Sequence, residues 1–119
     1  MTDTPEWTAF AETFAERLAD RAGVAEGDRR LSAETIAEAE PLWPLVVPTS
    51  LGGHGADLSQ LLQITRILAR GCPASAWTLA FLVMHSWLIA KFPAPGRAEA
   101  ITARKPWALA PRRCPRPGR

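Results

Sequence analysis

The chain has no tyrosine, and its 119 residues include only two cysteines and two methionines. Strand-favouring residues are scarce beside alanine and leucine, so the composition predicts helices. Two cysteines, Cys72 and Cys114, do not make a disulfide framework or a zinc site. His54 and His85 have no cysteine or acid at finger-like offsets, so no metal ligand set is predicted. The N-terminus, Met-Thr-Asp-Thr-Pro-Glu, lacks a basic start followed by an apolar run, which excludes a signal peptide there and gives a cytoplasmic expectation. Acids are missing from residues 101–119, which hold six bases. Residues 1–100 hold twelve acids and eight bases, a balance of −4. The basic end is short, proline-rich and without interleaved aromatics beyond Trp107, so no nucleic-acid partner is expected.

The most informative absence is charge between Gly71 and Ala90. That span approaches transmembrane length. It also contains Ser75, Thr78, His85 and Ser86 and opens on Cys72-Pro73, so it reads as a helix buried on all sides, with no membrane partner. Trp77 and His85 lie eight positions apart in it. At about 100° per residue, their side chains fall within roughly 80° of each other and about 12 Å apart along the axis. Such a helix can wall a flat, aromatic-sized pocket. The competing expectation is a core histidine bonded to a carbonyl or a serine.

An all-α fold of four main helices is predicted. Thr4-Pro5-Glu6 starts the first, with Trp7, Phe10, Phe14, Leu18 and Arg21 along one stripe and Gly23 at its end. Ser32 caps a second helix to about Glu40. Leu45-Val-Val-Pro48 is expected to be extended, and Gly52-Gly53-His54-Gly55 to be a turn rather than a phosphate cradle. Asp57 and Gln60 form a capping box for the third helix, whose inner face is Leu58, Leu61, Leu62, Thr65 and Leu68. The fourth runs from Pro73 to about Phe92, and a short fifth is expected over 97–104. Arg17, Arg21, Arg29 and Arg30 read as a solvated face, and Trp7, Trp43 and Trp107 as packing. The domain is placed at 1–105 and a disordered Pro/Arg-rich tail at 106–119.

Several segments together resemble the N-terminal helical domain of the acyl-CoA dehydrogenase fold. They are Arg29-Arg30-Leu31-Ser32, Leu45-Val-Val-Pro48 with Leu51-Gly-Gly-His-Gly-Ala-Asp57-Leu58, and Ala69-Arg-Gly-Cys-Pro73. Ser75-Ala-Trp77, His85-Ser-Trp87, Phe92-Pro93 and Trp107-Ala-Leu-Ala-Pro111 complete the set. The likeness covers about residues 10–111 and is greatest to the flavin-dependent monooxygenase branch. It implies hydroxylation of an aromatic substrate with FAD or reduced FMN and oxygen, a partner flavin reductase, and a homotetrameric parent. By the same likeness His85 hydrogen-bonds a substrate phenol oxygen, Trp77 walls the pocket and Ser75 lies on the cofactor side. No catalytic residue is assigned. The residues after Pro111 depart from the family, and the chain is expected to be a truncated copy, inactive alone. Two alternatives stay open: α,β-dehydrogenation of an acyl-CoA thioester, and a non-catalytic helical remnant or interaction module.

Overall fold

A computed structural model of the protein describes residues 4–91. Among them it is helical, with no strand. Four α-helices follow one another: α1 (Thr4–Asp28), α2 (Ala33–Glu38), α3 (Leu58–Gly71) and α4 (Pro73–Lys91). Between α2 and α3 runs a connector holding two 3-10 turns, Glu40–Leu42 and Thr49–Leu51. The expected fifth helix, Trp107, Cys114 and the boundary between residues 105 and 106 lie outside the described residues.

Helix α1 supplies Ala11, Phe14 and Leu18 to the core, and α3 supplies Leu61, Ile64, Ile67 and Leu68. The two helices pack chiefly on each other, and α4 packs on α3. Gly71 makes the close crossing possible: a Cβ built there would collide with the Ala15 carbonyl oxygen. The inner face of α3 is rotated from the expected one. Leu58 and Leu62 are exposed, whereas Ile64 and Ile67 are buried. Leu61 and Leu68 of the expected face are buried, and the rest of it was misplaced because apolar residues occur on both sides of α3.

Gly23 does not end the first helix. Helix α1 continues to Asp28 and closes on Arg29, at φ 53°. Arg30 N–H donates to the Ala25 carbonyl and Arg29 N–H to that of Glu26, both at 3.3 Å. These bonds satisfy the last carbonyls in the manner of a left-handed helix terminus. An interior glycine costs only about 1 kcal/mol relative to alanine, too little to stop a helix already anchored through Phe14 and Leu18 in the core.

The arginines are not all a solvated face either. Arg21 makes a two-pronged bond to Glu38, Nη1 to Oε2 at 2.9 Å and Nη2 to Oε1 at 3.0 Å. It also pairs with Glu34 at 3.0 Å, and Arg17 pairs with Glu38 at 3.3 Å. This clamp fastens α2 to α1. The Arg21 bonds, followed by the nearby positive charges and against some desolvation, hold the Glu38 carboxyl below the usual range.

The segment Leu45–Pro48 is not extended. Successive turns run through it, with Leu45 N–H bonded to Leu42 O and Val47 N–H to Pro44 O. Its carbonyls then receive the Gly-rich stretch: His54 N–H donates to Pro44 O, Gly55 N–H to Val47 O and Ala56 N–H to Leu45 O. Gly52 and Gly55 sit at φ 84° and 65°, and at Gly53 a side chain would overlap the Val47 carbonyl oxygen. Trp43, 2% exposed, anchors this connector in the core.

Candidate functional site

Helix α4 is buried on one face only. Ser75, Ala76, Leu79, Val83 and Ser86 lie inside. Trp77 (74% exposed), Phe81 (57%), Met84, Trp87 and Leu88 lie outside. Being apolar all round does not distinguish a helix with neighbours on every side from one with a single neighbour. That is why the expectation of full burial fails. Trp77, Phe81, Met84 and Leu88 follow at steps of four, three and four, so at about 100° per residue they occupy one narrow outer strip. By length and composition α4 could also cross a membrane.

The three residues singled out from the sequence are not brought together. Trp77 and His85 share the outer side of α4. Ser75 is on the inner side, 3% exposed, and lines a different groove with Glu26, Arg29, Arg30 and Thr78.

His85 is half-buried at the edge of the outer strip. Its Nδ1 lies 2.7 Å from the carbonyl oxygen of Phe81, one turn earlier. A carbonyl only accepts, so Nδ1 carries the proton. The ring also meets Phe81 edge-on, with centroids 4.7 Å apart and planes at 76°. The imidazole is thus oriented by its own helix. In the neutral ring, Nε2 then holds a lone pair. It can accept a hydrogen bond, and it becomes a donor only on protonation. The outer face offers no fixed charge until Lys91, whose ammonium sits 5.1 Å from the Trp87 ring centroid.

A cleft of about 590 Å³ opens beside the strip, on the Trp87 side. The connector, the start of α3 and the second half of α4 form it. Neither Trp77 nor His85 lines it. Sequence reasoning missed this cleft because its floor comes from Val46 and Ala56, segments whose turn-on-turn packing has no periodic signal. It also missed the contact of Trp7 with His54, whose rings stand 5.3 Å apart at 74°. That contact docks the start of α1 on the Gly-rich turn.

No family model, no curated protein and no solved structure matches this chain.

Proposed function

We propose that the chain is the N-terminal helical part of a flavin-dependent oxidoreductase that hydroxylates an aromatic substrate with reduced flavin and oxygen. The observation that carries this reading is the setting of His85. A single imidazole, its Nδ1 proton fixed on a main-chain carbonyl, stands at the edge of an exposed, uncharged aromatic face. The carbonyl bond is the one expected of a core histidine as well; what favours a ligand role is that the ring is only half-buried. The likeness of the Gly-Gly-His-Gly connector and the Ser-Ala-Trp and His-Ser-Trp elements to the acyl-CoA dehydrogenase fold supports the same reading.

The residues suit one part of a flavin. Trp77 offers an open indole against which an isoalloxazine or substrate ring can stack. The stretch 71–90 has no lysine or arginine to hold a phosphate, and Ser75 faces away. Flavin phosphates would therefore be gripped elsewhere. When bound, reduced flavin supplies the activated oxygen. The protein's own part is to orient and to withdraw a proton. Nε2 of His85 accepts the hydrogen bond of a phenol O–H, which raises electron density on the ring to be hydroxylated. A ring stacked on Trp77 and Phe81 would shield that side from water.

A purified chain titrated with FMN, FAD and phenol tests this. Flavin fluorescence should be quenched through Trp77 and recover in Trp77→Leu. Phenol binding should weaken about tenfold in His85→Ala, with flavin quenching unchanged. Absence of any flavin response, together with unchanged phenol binding in His85→Ala, would remove the oxidoreductase reading. A second reading, a non-catalytic helical interaction module, is favoured by the four-three-four spacing on α4, which is that of a helix–helix seam.

A further inference from the structure

A groove of about 780 Å³ lies where the end of α1, α2 and the start of α4 meet. It holds the inward-facing Ser75 and neither Trp77 nor His85, so it is independent of the flavin reading. One part of its wall is apolar, with Leu31 and Ile36 half-buried and Pro73 beside them. The other part carries Arg29 and Arg30. The ion pairs among the described residues are made by Arg17 and Arg21, and neither of these two guanidinium groups has a partner there.

The first N–H groups of an α-helix have no acceptor within the helix. In α4, Pro73 has no N–H, and that of Ala76 reaches back to the Cys72 carbonyl at 2.9 Å. The N–H groups of Ala74 and Ser75 remain. Both residues line the groove, and no acceptor among the described residues meets either group.

The decisive group is the Ser75 side chain. Ser75 is 3% exposed, and its hydroxyl bonds to no described residue. A hydroxyl at that depth ordinarily has a partner. Among the described residues no side-chain oxygen without a partner is sealed from solvent, so the little surface that the Ser75 hydroxyl keeps opens on the groove that the residue lines. Thr78, on the same wall, instead turns its hydroxyl onto the Ala74 carbonyl at 3.0 Å.

One carboxylate, Glu26, stands against these donors. The carbonyls of Ala25 and Glu26, at the end of α1, are already occupied by the Arg30 and Arg29 N–H groups. Two guanidinium forks, three uncharged donors and the positive end of the α4 dipole exceed what one carboxylate guest can accept. They suit the three oxygens and the higher charge of a phosphate. Residues 92–119 hold one acid, Glu99, against seven bases, so the anion must come from outside the chain.

We infer that this groove is a binding site for a small phosphate monoester. Arg29, Arg30, the Ser75 hydroxyl and the N–H groups of Ala74 and Ser75 hold the phosphate, and the apolar body lies against Leu31 and Ile36.

The full chain, labelled with nitrogen-15, tests this by titration at constant ionic strength with inorganic phosphate, hexyl phosphate and hexanol. Both phosphates should move the Ala74 and Ser75 amide resonances to saturation at one site. Hexyl phosphate should bind at least about tenfold more tightly than inorganic phosphate, and hexanol at least about tenfold more weakly than hexyl phosphate. Replacing both exposed arginines, Arg29→Gln with Arg30→Gln, should weaken hexyl phosphate at least about tenfold, and Ser75→Ala about tenfold. Glu26→Gln should strengthen it. Circular dichroism confirms that the helices persist in Ser75→Ala. Should that variant unfold, the arginine pair and Glu26→Gln, all on the surface, carry the test. The inference is overturned if the Ala74 and Ser75 amides stay still or shift without saturating. It is also overturned if the two phosphates bind equally, or if either the arginine pair or a folded Ser75→Ala can be replaced without loss of affinity. His85→Ala leaves phosphate binding intact in either case, so failure here and failure of the flavin reading are separable.

Discussion

Along α4 the buried side chains are Ser75, Ala76, Leu79, Val83 and Ser86, and the outward ones are Trp77, Phe81, Met84, Trp87 and Leu88. A soluble helix ordinarily buries its bulk and exposes its small and polar residues. Here the order is reversed. Small inner residues allow α4 to lie close on α3. The large outer ones leave about half or more of their surface outside this fold, Trp87 and Met84 somewhat less. An aromatic surface so arranged is held for something other than the helices already present.

The contrast between the side that holds the fold and the side that does not can be broken by mutation. Leu79 is fully buried, so Leu79→Ala should cost about 2–5 kcal/mol of unfolding free energy. Phe81→Ala, on the outer strip, should stay within about 0.5 kcal/mol. Urea unfolding of the two variants measures both, and similar losses would mean that the outer strip is packed after all. Next in size is Gly71→Ala. The added methyl meets the Ala15 backbone, and separating α1 from α3 should cost about 1–3 kcal/mol. A neutral result would show that the crossing has slack.

The smallest effect concerns the clamp between α1 and α2. Arg21 depresses the Glu38 carboxyl below its ordinary range, so the folded state binds that proton less readily than the unfolded chain. The pair's contribution is therefore complete above the unfolded carboxyl pKa. It fades as pH falls through the lower folded value. Glu38→Gln should be less stable than the native chain at neutral pH, and the gap should close in acid. A gap that persists or widens on acidification, followed by urea midpoints across pH, would show that Glu38 acts through shape rather than charge.

Much of this fold could be read from particular residues. Asp57 and Gln60 form the capping box that their spacing predicts, with both bonds present. Ser32 caps α2 through the Thr35 N–H. The glycines of the connector make the expected turn, Gly52 and Gly55 at positive φ and Gly53 in close approach to Val47. What escaped was whatever depends on a partner distant in sequence. Gly23 was outweighed by continuing helical turns. Leu45–Pro48 coils with its carbonyls bonded by the backbone of Gly53, Gly55 and Ala56. The apolar pattern of α4 carried no sign of which side would be covered, because both sides are apolar. At the candidate site, the pairing of Trp77 with His85 on one side followed from helical period alone. The anchoring of Nδ1 on Phe81, and so the direction of any proton transfer, required the coordinates.

The direct measurement is the nitrogen-15 NMR spectrum of the His85 ring, recorded in the neutral form with and without phenol. The account predicts a proton on Nδ1, a bare Nε2, and an Nε2 resonance that moves when phenol is added. A proton found on Nε2, or an Nε2 signal indifferent to phenol, would contradict it.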